Sequence, residues 1–538
     1  MSAFRRKGNN DMGQIIGIDL GTTYSCIACL EAGRPLVIPN LEGLPTTPSV
    51  VSFTGSGERL VGTPAMRQAD TNPANTFYAV KRLIGQKFLS PEIQEAQNKL
   101  TYKLKEAPNG DVLVVLGSKT LSPPEISSMV LGYLKSCAES FFGEPVSDAV
   151  ITVPAHFNDA QRQATKDAAT ICGLEVQRVI NEPTAAGLAY GLDTKKNGLA
   201  AVYDLGGGTF DITILEFSDG VFNVLASNGD SYLGGEDFDN RILEWLAEDF
   251  LAETKIDLSA DKLALQRVKE AVEKAKRELS FTMESEINLP FISSDKSSSK
   301  HIRKVLSRQT LEALTGDLVE RTVPRIGQAL ADARLSPDRI AHVILVGGQT
   351  RMPLVRKRVT EFFGREPEEQ VNPDEIVAMG AAIQSGILDG RIRDLVLLLD
   401  VTPFALGIET ESGNYEMIIE RNTTIPTRKV KAFTTVEHNQ RRVRIHVLQG
   451  EGFMASMNKS LAVFELVGIE AAPAGVPQID VTFEISADGL ARVSAKDKET
   501  GLEQKIQVRP SSGLMPTEVE EMRRRETGGE VAKLGPNG

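Results

Sequence analysis

The sequence predicts a multidomain chain, α/β to about residue 393 and an antiparallel β-sandwich beyond it. Three observations lead there. Strand-like and helix-like stretches alternate over the α/β region. Within it a single pattern occurs twice: an apolar strand, an aspartate, a glycine turn with hydroxyls, and a returning strand. After residue 400 apolar residues fall at every second position between turn signals, the period of half-buried strands.

Composition narrows the function classes. A chain of 538 residues holds about three to five domains. Its 41% hydrophobic and 25% charged content is that of a globular protein. The net charge of −12 argues against non-specific nucleic-acid or anionic-membrane binding, which need basic surface. No apolar run approaches a membrane span. Phe4-Arg5-Arg6-Lys7 is not followed by the apolar stretch of a secretory signal, and four cysteines make no disulfide framework. A cytoplasmic protein is expected, with residues 1–12 an N-terminal extension.

The first copy of the repeated pattern is Ile15 to Thr23, with Asp19, Gly21, Thr22 and Thr23 at its turn. The second is Leu199 to Asp211, with Asp204, then Gly206, Gly207, Gly208 and Thr209. Bare glycine N–H groups in such a turn form an anion-binding concavity. An aspartate there would repel phosphate unless a cation lay between them, so the pair of hairpins points to two related lobes gripping a Mg²⁺-nucleotide. Each hairpin by itself is equally an ordinary turn. Cys26 and Cys29 lie on the strand after the first hairpin; a spacing of three puts them on opposite faces, which suits packing rather than redox or zinc chemistry.

Pro35 to Pro48 reads as loop, and Val50 to Phe53 as strand. Lys81, after the apolar Phe77 to Val80, is either a solvated lysine or a cation for the phosphate site. Helical spacing covers Pro124 to Phe142 and Asp159 to Cys172. Asp148 to Val153 is a buried strand ended by Pro154. Glu182 follows another strand and precedes Pro183 at a helix start; it is a helix N-terminal acid or a group that positions metal or water. Gly234 and Gly235 lead into a further helix. In the next, Leu265, Val268, Val272, Ala275 and Leu279 define a core face, while Glu273, Lys276, Arg277 and Ser280 share a second face. By periodicity alone that second face is a solvated surface with i,i+4 pairs; its alternative is a polar wall for a nucleoside. Ile340 to Met352 is a buried strand, the double glycine Gly347-Gly348, and a helix start that suits a nucleoside edge or α-phosphate. No Walker sequence is present.

Residues 394–400 place five apolar residues between two acids, a core strand or a linker that docks. Residues 401–514 carry the sandwich, with Leu406, Ile408 and Thr410 on one strand face and Val443 and Ile445 alternating with arginines. Residues 515–538 begin as a helix capped by Thr517 and end in glycines that read as disorder.

Taken together the chain resembles the seventy-kilodalton heat-shock chaperones of the bacterial DnaK kind, from about Gly13 to Leu514. The motifs that carry it are Ile18-Asp19-Leu20-Gly21-Thr22-Thr23, Asn181-Glu182-Pro183-Thr184, Asp204 to Asp211, Leu233-Gly234-Gly235-Glu236-Asp237-Phe238, Val346-Gly347-Gly348-Gln349-Thr350-Arg351 and Leu397-Leu398-Leu399-Asp400-Val401-Thr402-Pro403. The resemblance implies a two-lobed actin-like (ribonuclease-H-like) ATPase domain over 13–393, a hydrophobic linker, a peptide-binding β-sandwich, and a helical lid here almost wholly absent. It implies ATP or ADP with Mg²⁺, and K⁺ as a further candidate ion. Lys81, Glu182, Asp204 and Thr209 would be catalytic, and Asp19 and Asp204 would lie around the metal. The hairpin residues, Gly234, Gly235, Glu273, Lys276, Arg277, Ser280, Gly347, Gly348, Arg351 and Asp374 would bind nucleotide. Pro154, Arg162, Val396, Leu397, Leu398, Leu399 and Asp400 would couple the domains. Leu406, Ile408, Thr410, Glu411, Phe433, Val436, Val443 and Ile445 would bind peptide. Partners would be unfolded polypeptide segments, a J-domain co-chaperone and an exchange factor of the GrpE type. Glu411 and Val436 depart from the Met and Ala of the bacterial pattern, and an acid there is expected to favour basic peptides. A sugar-kinase-like phosphotransferase would share the paired hairpins but needs neither linker nor sandwich; a non-hydrolysing scaffold would not keep Lys81, Glu182, Asp204 and Thr209 together.

Overall fold

The computed structural model describes residues 14–194, 197–294, 299–392, 396–507 and 513–527. Two six-stranded sheets, the second including two strands from beyond residue 396, organise the α/β region alongside three smaller sheets. In one, β1 (Ile15–Asp19), β2 (Tyr24–Glu31) and β3 (Arg34–Ile38) run as an antiparallel meander. Parallel to β1 on its other side come β4 (Asp148–Val153) and then β5 (Glu175–Asn181). The second sheet repeats the plan. β6 (Gly198–Leu205), β7 (Phe210–Ser218) and β8 (Val221–Asp230) are the meander, and β9 (His342–Val346) lies parallel to β6. The repeated hairpin motif thus marks two lobes of the same topology.

Where strand ends meet helices the local chemistry is explicit. Ser122 and Glu125 cap the helix Pro123–Phe142 reciprocally, and Gly143 ends it in a left-handed turn. Asn158 and Gln161 do the same for Asp159–Ile171. The lobes join where the helices Glu182–Thr194 and Ile376–Leu388 cross between the sheets. A Cβ on Gly380 would stand 1.9 Å from the Ala185 carbonyl oxygen, and one on Gly17 in β1 2.2 Å from the Ala382 nitrogen. Only glycine allows backbones to approach so closely.

Two expectations need correction. Pro35 to Pro48 is not all loop: β3 and the short strand Thr46–Pro48 both pair with β2. A two-residue turn at Ala32 and Gly33, both with positive φ, makes the β2–β3 hairpin, and β3 lies at the sheet edge, where a proline costs no ladder bond. Thr517 is no cap, because the last helix, Pro516–Thr527, starts before it; the Glu518 carboxylate accepts from the Met515 N–H instead (2.6 Å). The tail read as disordered and the N-terminal extension lie outside the described residues, apart from the last helix. So do Asp394 and Leu395 of the linker.

Of the rest of the expected linker, Leu397 to Asp400 fall in β10 (Leu397–Val401). It adds to the second lobe's sheet parallel to β8, Leu397 to Leu399 opposite Val221 to Asn223, while Asp400 and Val401 pair with Thr424–Ile425 of the sandwich region. Val396 and Leu398 pack on the apolar cluster between the lobes. The alternatives of core strand and docking linker are here one feature. The sandwich has β12 (Tyr415–Ile419), β11 (Leu406–Glu409), β14 (Arg442–Gln449) and β15 (Lys459–Val467) in one sheet, in that order. The other is β13 (Thr427–Phe433), β16 (Ile479–Ile485), β17 (Ala491–Asp497) and β18 (Glu503–Gln507). Their inner faces meet over Phe483, Ile419 and Val447, all fully buried.

Replacing Phe483 by Ala should cost the sandwich about 3–5 kcal/mol. Calorimetry should show a lowered transition for that unit, with the fluorescence of Trp245, in the second lobe's helix Gly235–Thr254, melting as before.

Candidate functional site

The ends of β1 and β6 open onto a cavity of about 450 Å³ between the lobes. Asp19, Gly21, Thr22, Thr23 and Lys81 wall it from the first lobe, with Glu182 at the base. Asp204, Gly206, Gly207, Thr209 and Gly235 face them from the second lobe. Glu273, Lys276, Arg277, Ser280, Gly347, Gly348, Arg351 and Asp374 complete the far wall. The solvated reading of the Glu273 to Ser280 face is therefore corrected: that face borders the cavity, because the core face of the helix Lys262–Glu278 is anchored in the second lobe. Arg277 reaches back to the Tyr24 hydroxyl (2.9 Å), Lys276 pairs with Asp239 (2.9 Å), and Arg351 with Asp374 (2.5 Å).

Gly208 and Gly234 are absent from the wall and stand behind it, where a Cβ on Gly234 would lie 2.5 Å from the Gly208 nitrogen. The two glycine loops are laced together: Gly206 N–H donates to Thr209 O (3.2 Å), and Gly235 and Glu236 N–H donate to Gly206 O and Gly207 O (2.9 Å each). The Arg82 guanidinium then staples this tip to the first lobe, bonding Gly208 O (3.0 Å) and the Asp237 carboxylate (2.5 Å). Sequence reasoning weighed only Lys81 of the Lys81-Arg82 pair and missed this role.

Acids converge on the cavity floor. The register of β6 on β7 sets Asp204 directly opposite Asp211, and like charges so placed repel. Burial, then the charge of Glu182, pushes Asp19 and Asp211 each up to about 7 and holds Asp204 well above the usual carboxylate range. Lys81 offsets part of this, its Nζ 2.5 Å from Glu182 Oε1 with both side chains buried. Asp211 Oδ1 accepts from the His156 N–H (3.2 Å), whereas its Oδ2 is buried with no partner. Asp211 was also missed, although a hairpin closing over four residues must set it against Asp204. Among the described residues no three acid, histidine or cysteine side chains form a metal cage. Carboxylates that surround a space without caging it suit a Mg²⁺ ion that keeps its waters and shares a nucleotide's phosphate oxygens. Cys26 and Cys29 are buried in different apolar clusters, as packing residues.

A chain of polar contacts leaves the site toward the linker. Asn181, next to Glu182, accepts from Arg162 (2.7 Å) with its oxygen and donates to Asp400 (2.9 Å) with its nitrogen. The buried Arg162 also bonds the carbonyls of Ala155, after Pro154, and Phe157 (3.0 Å each). At the sandwich, Asp488 accepts from Val179 N–H (3.0 Å) and Lys166 (3.1 Å), and Asp159 from Ala491 N–H (3.0 Å). Arg421 pairs with Asp332 (2.6 Å). Asn181 and Asp488 had no assigned role in the sequence.

The expected peptide-binding residues fall into two groups. Leu406, Ile408 and Ile445 are buried in the sandwich core, with Phe433 and Val443 partly buried beside them. Thr410 is half-buried, and Glu411 and Val436 are exposed on loops.

The raised carboxylates give stability a sign. Asp19 and Asp211 titrate near 7 when folded against roughly 4 when unfolded. The folded chain thus holds protons that the unfolded chain has lost, and ligand-free stability falls as pH rises through that window. A cation prefers the ionised acids. The rise in melting temperature on adding Mg²⁺ and ATP should be larger at pH 8 than at pH 6; an equal or smaller rise at pH 8 would remove the cation from among these acids.

One comparison with known proteins bears on this geometry: the family model described as Hsp70 protein matches residues 15–532.

Proposed function

The chain belongs to the Hsp70 family, and from that premise we propose that it is a DnaK-like chaperone that grips and releases extended apolar segments of unfolded proteins under the control of Mg²⁺-dependent ATP hydrolysis. Membership itself brings a two-lobed actin-like ATPase domain joined to a β-sandwich, ATP-coupled chaperone activity in protein folding, and unfolded polypeptides and co-chaperones as partners. In finer detail, residues 13–393 would be the ATPase domain, 394–400 the linker and 401–514 the peptide-binding sandwich, with the helix Pro516–Thr527 beyond it. A J-domain protein and a GrpE-type factor would be the co-chaperones, and a cytoplasmic stress response the setting. No helix among the described residues is long and apolar enough to cross a membrane.

The observation that carries the reading is the continuous path from Glu182 through Asn181 to Asp400 and the docked strand β10. In this mechanism the glycine loops and Thr22, Thr23 and Thr209 hold the phosphate chain. Glu182 orients the attacking water, and Lys81 stabilises charge developing on the transferred phosphoryl oxygens. Asp19, Asp204 and Asp211 would hold Mg²⁺ at the cavity floor, and the ion would supply neutralisation of phosphate charge there. A shift of Glu182 on hydrolysis moves Asn181, and with it the Arg162 and Asp400 contacts that keep the linker and sandwich docked. Coupling of this kind is reciprocal: whatever nucleotide does to peptide affinity, peptide does to nucleotide affinity.

Two variants test the assignment. Asp204→Ala should lower ATP turnover about a hundredfold or more, measured as phosphate release; unchanged turnover would sink the metal-site role. Asp400→Ala should keep basal turnover within about twofold while abolishing most of its stimulation by a heptapeptide. Full stimulation would take the linker contact out of the mechanism.

A further inference from the structure

The cavity rim carries an aromatic side chain that none of the sequence motifs includes. Phe281 lines the same space as Arg277, Ser280 and Gly348, and it is 78% exposed, more than any other large apolar side chain among the described residues. Single exposed apolar residues are ordinary on a protein surface. Phe453 and Phe291 are nearly as exposed, at 74% and 70%, but neither borders this cavity. Phe281 also lies beyond the helix Lys262–Glu278, in the turn before the strand Glu284–Ser294, so helical periodicity assigns it no face.

The turn under this exposed ring is fastened. Leu279, two residues earlier, is fully buried in the core of the second lobe. The Arg308 guanidinium donates to Leu279 O (2.8 Å) and Thr282 O (2.7 Å), one on each side of Phe281. The N–H groups of Phe281 and Thr282 donate to Glu278 O (2.9 Å each), and the Thr282 hydroxyl donates to the same oxygen (3.0 Å). Apolar area held ready in this way loses little freedom when a ligand covers it, and covering it is favourable. Tyr24, the other aromatic ring on the cavity wall, is already engaged: Arg277 Cζ lies 5.6 Å from its ring centroid and Arg277 Nη1 2.9 Å from its hydroxyl. An uncharged ring suits neither a phosphate chain nor its cation; it suits the flat face of a base.

From this we infer that Phe281 stacks on the base of the bound nucleotide and sets how tightly the base, as distinct from the phosphates, is held. The inference rests on the nucleotide-binding reading above and adds a specificity-determining residue to it. Stacking of a base on an aromatic side chain is worth about 5- to 150-fold in affinity. A purine offers more stacking surface than a pyrimidine, so an adenine nucleotide gains more from Phe281 than a cytosine nucleotide does.

The test uses the full chain with Mg²⁺ and calorimetric titration of ADP, CDP and pyrophosphate, the last carrying the phosphates without a base. Phe281→Ala should weaken ADP about tenfold or more, weaken CDP by a smaller factor, and leave pyrophosphate within about twofold. Phe281→Trp should restore ADP binding to within about threefold. Its added fluorescence, read as the difference from the unaltered chain with its one tryptophan, Trp245, should be quenched by ADP and not by pyrophosphate. The Trp variant keeps a ring at the rim and carries the test if the Ala variant fails to fold. Unchanged ADP affinity in Phe281→Ala, or no quenching in Phe281→Trp, overturns the inference while the nucleotide-binding reading survives. Equal weakening of ADP and pyrophosphate also overturns it, because the ring would then act on the cavity as a whole. Failure of ADP to bind the unaltered chain overturns both.

Discussion

Asp204 and Asp211 face each other across a hairpin, and Asp19 and Glu182 close on the same space. Two ionised carboxylates about 5 Å apart repel by about 3 kcal/mol at the effective dielectric of a protein site. The molecule tolerates this in two ways. Protons stay on Asp19 and Asp211 to about neutral pH. Lys81 is drawn from the first lobe into contact with Glu182. Arg82, by contrast, anchors the neighbouring backbone tip through Gly208 O and Asp237 and leaves these acids to Lys81. The remaining tension is what a hydrated cation with phosphate ligands would relieve.

The sequence carried much of this because the constraint is local there. An aspartate at the end of an apolar strand, followed by glycines and a hydroxyl, is conspicuous twice over, and both hairpins form with the acids at their strand ends. The long helices were equally legible from their periodicity, and their reciprocal caps emerge with the structure. Less visible were residues whose meaning depends on distant partners. Asp211 looks like any strand acid until the register sets it against Asp204. Arg82 looks like the neighbour of Lys81 until the second lobe brings Gly208 and Asp237 to it. The Glu273 to Ser280 face has the periodicity of a solvated surface, and only the position of its helix against the opposite lobe makes it a wall. The Pro35 to Pro48 segment misled because prolines argue against strands, an argument that weakens at an edge.

Asn181 is the residue on which site and linker both rest. Its two amide ends differ, the oxygen taking a bond from Arg162 and the nitrogen giving one to Asp400. Turning the amide over would set its NH₂ against a guanidinium and its oxygen against a carboxylate, losing both bonds in a buried place where unmet hydrogen bonds cost about 1–3 kcal/mol each. The contact is thus all-or-none. Because Asn181 is covalently adjacent to Glu182, under the proposed mechanism a displacement at the cavity would break or keep both bonds together.

The docked linker also has an effect on the sheet that receives it. β8 is the last strand of its meander, and without β10 its outer edge would present unpaired N–H and C=O groups. A bare strand edge of this sort accepts extended polypeptide without regard to sequence. A member of a family that binds unfolded polypeptides is exposed to mistaken capture at that edge. Leu397 to Leu399 fill it, so the segment that leads from the α/β region into the sandwich also closes an edge on which extended chains could otherwise pair.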